Sequence, residues 1–423
     1  MKTILKYGSF LMITLMMASC MFNEKDDFDK SSAIRMEEAI TQYGDILKSA
    51  PNGWLFNYYC KDGYAVNFIM KFDGKNVVVT SDYGSQNYAL GDTLSSLYRI
   101  IGDQGPVLTF DSYNEIFHQF SEPLGSSNLD GLGGDYEFII MSAAADKIQL
   151  KGKKTGYKMT MTALPATTIW KDYLQSSVDM QINISPRYKM LFNNDSIGVV
   201  NQTSAYTWNI MAKDTTLSDY IFYTPTGVHL NSSHTFGVYT VQDFTYDNTL
   251  SGFVSNDNKN IKLVPYYPAN YIPYNDYIGT WTFKYKTDPS ATDYTITTAT
   301  FTQKENKKSY SVHIPDFDYD VVCNYNMMDG SLSLLTQYLG MYKTMYYIYL
   351  CPWDVAGGTL TWADGAGSTA LWDGKTSPKE LVFMDGDIPG SFFMYAFKGN
   401  PPSSSNTAGW WSKIVTPILI INK

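Results

Sequence analysis

From Trp54 onward the chain alternates apolar and polar residues with a period of two. Tyr157, Met159 and Met161 interleave with Lys158, Thr160 and Thr162, and Ile148 and Leu150 interleave with Lys147, Gln149 and Lys151. Successive side chains of a strand point to opposite faces, so this pattern buries one face of an antiparallel sheet and wets the other. A helix of the same sequence would scatter its apolar residues around the axis. Turn pairs such as Asp73-Gly74 and Gly152-Lys153 punctuate the runs. About eight short strands over 54–165 fit an up-and-down, lipocalin-like barrel or a sandwich.

The rest of the chain divides around that module. At 423 residues, 44% of them hydrophobic, the length suits two or three domains at about 150 residues each. Residues 20–53 hold a tether and the one strong helix pattern, 29–49, with Met36, Ala39, Ile40, Tyr43 and Leu47 at helical spacing. Ser31 or Ser32 caps its start, and Pro51-Asn52-Gly53 ends it. Inside the first module, Ser112 and Glu115 have capping-box spacing ahead of Ile116, Phe117 and Phe120, predicting a short helix that closes a barrel mouth. Residues 166–273 read as a middle β module, with a helix around Thr168–Leu174 and strands near 187–193, 205–212, 220–223 and 236–243. A stiff aromatic linker, Pro265-Tyr-Tyr-Pro268 to Pro273, leads to a C-terminal β module, 274–423. There Tyr310, Val312 and Ile314 share a face, and the apolar run Ile414–Ile421, interrupted by Pro417, reads as a terminal strand. The expected class is mainly β: two or three antiparallel barrel or sandwich modules behind an N-terminal helix.

The first residues carry an address. Lys2 and Lys6 precede an apolar core, Phe10–Met17, too short to judge as a membrane span. Met17-Ala18-Ser19-Cys20 resembles a bacterial lipobox. That resemblance implies cleavage after residue 19 and lipidation of Cys20. Glu24-Lys25-Asp26-Asp27 then resembles the acidic signal that sends Bacteroidetes lipoproteins to the outer face of the outer membrane. The expected location is therefore the outer membrane, lipid-anchored and facing outward.

Composition and motifs exclude more than they assign. A net charge of −9 argues against electrostatic nucleic-acid binding. Cys60, Cys323 and Cys351 form no CxxC clip and read as buried thiols. His118, His229, His234 and His313 contain no HExxH, and Gly-x-Ser-x-Gly is missing. Gly374-Lys375-Thr376 ends like a phosphate loop but lacks its first glycine and reads as a turn. Neither a metal nor a cofactor is expected. Asp316, Asp318 and Asp320 would share one face of an extended strand, where a solvated edge is favoured over a Ca²⁺ site. Aromatic residues, at 15%, are the informative excess. Trp353, Trp362, Trp372, Trp410 and Trp411 crowd the last part of the chain, several of them beside Gly, Asp or Pro. Trp353, Trp372, Trp410 and Trp411 are the candidate ligand-binding residues, since flat rings stack on the apolar faces of sugars; core filling is the competing reading. Tyr346, Tyr347 and Tyr349 read as a strand buried on both faces.

FDKSSAIRMEEAITQYGDILKSAPNGW at 28–54, GPVLTFDSYNEIFHQFSEP at 105–123, GGDYEFII at 133–140 and LKGKKTG at 150–156 resemble a family of Bacteroidetes lipoproteins known as domain of unknown function 4302. The stretch YIGTWTFKYKTDP at 277–289 is similar to C-terminal β modules of other lipoproteins of that phylum. The resemblance implies association with Sus-like uptake systems, in which surface lipoproteins capture glycans or peptides for an outer-membrane transporter. It supplies no catalytic residue. The expected function is non-catalytic capture of a nutrient, a glycan first, with a transporter and neighbouring lipoproteins as partners. The alternatives are a hydrolase whose carboxylates meet only in the fold, and a structural lipoprotein that docks a neighbouring protein.

Overall fold

The computed structural model describes residues 30–422 except 127 and 213. Cys20 and Lys25-Asp26-Asp27 lie outside the described residues. Helix α1, Ser32–Ser49, opens the described chain; Ser31 caps it by accepting from the Ile34 amide. Its inward side carries Tyr43, Ile46 and Leu47 onto the first core. Trp54 closes its far end, the indole Nε1 donating to the Leu47 carbonyl at 2.8 Å. That bond satisfies a helix-end carbonyl that would otherwise be left without a partner.

The first module is a closed antiparallel barrel of eight strands in sequence order. Closure is read from Trp54–Tyr59, which pairs with both Ala65–Phe72 and Lys158–Ala163. The inward residues of the alternating pattern fill it: Met159 and Met161, Ile148 and Leu150 are all buried. Helix α2, Glu115–His118, plugs the interior. Phe117 meets Phe68 at 5.2 Å and Phe110 at 4.5 Å, and Phe120 meets Tyr58 at 5.8 Å. These rings pack the barrel solid.

The second module is another closed barrel of eight strands, running from Arg187–Phe192 to Ile261–Pro265. It has more strands than the sequence pattern suggested. Asp195–Ser204 and Gly227–Phe236 are rich in Ser, Thr and Asn and so lack clean alternation. A tight Asn193-Asn194 turn, both residues at positive φ, joins the first pair. Helix α3, Trp170–Met180, runs past the expected Leu174 and buries Leu174, Ser177 and Met180.

The third module centres on a ring of eight strands. The long last strand, Thr407–Ile421, closes it by pairing its end with both Gly279–Lys286 and Lys379–Asp385. The same strand bends at Thr416, φ 48°, before Pro417. Its first half leaves the ring and carries a wing of three more strands: Ser391–Phe397, Tyr346–Asp354 and Gln337–Tyr342. The inner side of the wing, Ile348, Leu350, Phe392, Met394 and Ile414, belongs to the third core.

The barrels are joined through side chains. Asn67 donates to the Tyr223 carbonyl at 2.8 Å and Tyr220 to the Cys60 carbonyl at 3.1 Å. Between the second and third modules, the Lys307 ammonium donates to the Ile182 carbonyl at 2.6 Å.

A candidate aromatic binding face on the wing

Strand alternation decides what the wing shows to solvent. Ile348 and Leu350 turn to the core, so Tyr347, Tyr349, Cys351 and Trp353 turn outward. Across the ladder, Tyr347 lies opposite Phe397, Tyr349 opposite Tyr395 and Cys351 opposite Phe393. The next strand places Trp410 opposite Tyr395 and Lys413 opposite Phe393, and Tyr338 continues the row beyond Tyr349. Rings thus stand side by side across four strands. Trp353–Phe393 centroids are 4.5 Å apart, Tyr395–Phe397 5.3 Å and Tyr338–Tyr349 5.3 Å. Trp362 joins from a loop, 5.6 Å from Phe397. Trp410 is 61% exposed and Tyr338 46%, while most of the other rings are half-buried.

One cation organises an end of this face. The Lys413 ammonium lies 5.4 Å from the Trp410 ring centroid, 5.8 Å from Trp353 and 5.9 Å from Phe393. Such contacts hold a cation against the negative faces of the rings. Asp288 accepts from it at 2.9 Å, and this hydrogen bond is the main reason the Asp288 carboxyl falls to about 2. The ammonium therefore props Trp353 and Trp410 on either side of Phe393. Cys351 lies beneath the rings, and burial pushes its thiol up to about 12, so it is not a nucleophile there. At the other end the Tyr349 hydroxyl donates to Asn400 Oδ1 at 2.7 Å.

The four tryptophans singled out in the sequence do not form one cluster. Trp353 and Trp410 share the face. Trp411 turns to the opposite side, where its ring meets Tyr342 at 4.3 Å and its Nε1 donates to Asp318 at 2.9 Å. Trp372 clamps a loop, donating to the Thr376 carbonyl and hydroxyl at 3.1 and 3.0 Å, with Lys379 over its ring. The tyrosine strand read as doubly buried instead supplies Tyr347 and Tyr349 to the outer row. Its outward phase was legible in the alternation with Ile348 and Leu350. The phenylalanines opposite could be placed only once strand pairing was known.

Other candidate sites dissolve. Asp316 lies in a turn, Asp318 in a bend and Asp320 just before the strand Val321–Tyr325, so the shared strand face expected for them is absent. Each has its own partner: Tyr285 and Thr297 donate to Asp316, Trp411 to Asp318, and His313 pairs with Asp320 at 2.8 Å. His229 pairs with Asp243 and His234 with Asp219. Among the described residues no group of three or more metal-ligating side chains gathers. An open groove of about 950 Å³ beside α1, edged by Glu37, Glu38 and Asp45, brings no rings or cations together.

Residues 24–248 match the family described as a domain of unknown function (DUF4302). The chain belongs to that family. The DUF4302 match covers the first barrel and most of the second, ending after the strand Tyr239–Asp247. Residues 254–392 match a second domain of unknown function (DUF4987), which takes in the last strand of the second barrel and most of the third module. The aromatic face thus lies outside the DUF4302 region. No curated protein matches the chain.

Proposed function

We propose that this chain is an outward-facing, lipid-anchored lipoprotein that captures a neutral saccharide on the wing and passes it on without cleaving it. The observation that carries the reading is the row of rings from Trp353 through Phe393, Tyr395 and Trp410 to Tyr349 and Tyr338, spread over adjacent strands, with Trp410 and Tyr338 exposed and the others half-buried. A contiguous row of solvent-reaching rings is the kind of apolar surface that binding sites use. Aromatic rings stack on the apolar faces of pyranose rings without needing charge, which suits a chain with only 17% charged residues. The hydroxyls of Tyr338, Tyr347, Tyr349 and Tyr395 supply donors and acceptors along the same row. Cys20 supplies the anchor in this reading and Lys25-Asp26-Asp27 the export signal. A Sus-like outer-membrane transporter is the recipient.

Binding of the purified protein to an array of neutral glycans, followed by titration of Trp410→Ala, tests the proposal. Wild type is expected to bind a polysaccharide and the variant to lose at least tenfold in affinity. No saccharide bound by wild type, together with a neighbouring lipoprotein captured on the same face, would replace this reading with protein docking.

A further inference from the structure

Where the first barrel meets the second, a cleft of about 400 Å³ opens between them. One wall is the outer face of the last strands of the first barrel. Lys147 and Gln149 stand on one strand and Lys158 and Thr160 on the next, with Gln149 paired directly to Thr160. The other wall is an irregularity in the second barrel. Between the strands Gly227–Phe236 and Tyr239–Asp247 the ladder pairs His229 with Asp243 and then jumps to His234 with Val241. Residues 230–233 therefore stand against Gln242 alone, and the chain swells outward. Bulges of this kind re-aim side chains and are over-represented beside functional sites. Here the bulge lines the cleft with Asn231, Ser232 and Ser233.

The bulge is held in place. Asp219, 8% exposed, accepts from the Ser232 amide at 2.9 Å and pairs with His234 Nε2 at 2.6 Å. Next to it rings pack across the joint, Tyr59 stacking on Tyr157 at 5.0 Å and meeting Tyr220 of the second barrel at a tilt, 4.5 Å away. The charges of the two walls differ. Asp219 and Asp243 are each committed to a histidine. Lys147 and Lys158 take part in no ion pair among the described residues. An otherwise acidic chain thus lines a cleft at a domain junction with two lysines outside any ion pair among the described residues, and with amide and hydroxyl side chains on the other wall. Ligand sites favour such junctions, and the volume lies within the usual range for a small molecule.

We propose that this inter-barrel cleft is a second binding site, for a hydroxyl-rich carboxylate of the uronic-acid saccharide type. Lys147 and Lys158 stand at opposite ends of the Gln149–Thr160 pair, and the ammonium group at each end takes a carboxylate of the saccharide chain. Asn231, Ser232 and Gln149 exchange hydrogen bonds with the hydroxyls. The exposed Met141 offers an apolar surface to the C–H face of the ring. The site is independent of the wing: its ligand is anionic, its residues belong to other modules, and either reading can fail alone.

The test follows the methionine methyl signals of the purified, methyl-labelled protein during titration with trigalacturonate and, separately, with its neutral trimethyl ester. Trigalacturonate is expected to shift the Met141 signal, and the ester to bind at least tenfold more weakly. A Lys147→Gln/Lys158→Gln double variant and a Gln149→Glu variant, all at exposed positions, should each lose at least tenfold in affinity for the acid. Trp410→Ala should leave that affinity unchanged. An unmoved Met141 signal, equal binding of acid and ester, or full binding by the variants would overturn the proposal.

Discussion

Trp410 and Trp411 are chain neighbours with opposite fates, because strand alternation turns one outward and the other toward Tyr342 and Asp318. Trp410→Ala should therefore change stability by no more than about 0.5 kcal/mol while weakening saccharide binding. Trp411→Ala removes half-buried packing and a hydrogen bond. It should cost roughly 2–3 kcal/mol, below the roughly 3–5 kcal/mol of a fully buried tryptophan, and leave binding intact. Urea denaturation of the two variants separates them, and equal losses would show that the rings do not face opposite ways. A second residue-level lesson concerns Ser112 and Glu115. Their spacing predicts a capping box, yet Asn114 is the residue that precedes α2. The Ser112 hydroxyl accepts from the Leu97 amide at 2.8 Å instead. Glu115 reaches away from the helix to the Ser85 hydroxyl and to Asn87, and these hydrogen bonds lower its pKa. Both side chains found better partners across the barrel than within their own turn. Glu115→Ala should therefore accelerate amide exchange at Asn87 while leaving the Phe117 packing in place. Unchanged exchange at Asn87 would contradict that role.

At the scale of elements, the plug helix is short but central. Phe117 is buried and touches rings from three strands, at Tyr58, Phe68 and Phe110. Phe117→Ala opens a cavity in a solid barrel and should cost about 3–5 kcal/mol. A loss under about 1 kcal/mol in a denaturant titration would mean that the plug is not part of the core. Nearby, Gly134 passes so close to the chain that an added Cβ would lie 2.1 Å from the Tyr58 hydroxyl and 2.6 Å from the Phe120 carbonyl. The Ser- and Gly-rich loop before it therefore ends at a position with no room for a side chain. The wing shows the converse case. Its rings were visible in the sequence, but their assembly depends on Thr407–Ile421 bending at Thr416 so that one strand serves both ring and wing.

At the scale of the whole molecule, the joint between the barrels is expected to respond to pH. Asp82 accepts from the Asn67 amide and side chain, and the same Asn67 reaches across to the Tyr223 carbonyl. Burial raises the Asp82 carboxyl from 3.8 to about 7, against the opposing pull of the Asn67 hydrogen bonds. Between about pH 4 and pH 7 the folded state therefore holds a proton that the unfolded chain has released. Stability falls as pH rises through that window and levels off above it. Thermal melts at pH 5 and pH 8 should show the lower midpoint at pH 8, and Asp82→Asn should flatten the difference. An unchanged slope in the variant would assign it to other groups. The proposed anchor belongs to this scale as well. Cys20→Ala is expected to abolish fatty-acid labelling and membrane retention, and a labelled, membrane-bound variant would remove Cys20 from the anchor.

Local chemistry written in consecutive residues was readable without coordinates. Period-two alternation set the β class and the buried phase of the clearly alternating strands, because side chains of a strand must alternate. Spacing and a capping serine placed α1, and the apolar side formed by Ile116, Phe117 and Phe120 announced the plug. The polar strands of the second barrel escaped notice because Ser, Thr and Asn carry no contrast between faces. Only the tertiary structure decided which strands became neighbours. That choice split the tryptophans between a loop clamp, an inner contact and an open face, and set Phe393 and Tyr395 beside Trp353 and Trp410. It also brought Lys147 and Lys158 of one barrel opposite Asn231 and Ser232 of the next. Pairing between distant strands is fixed by how whole faces bury against one another, and no stretch of sequence a few residues long contains that information.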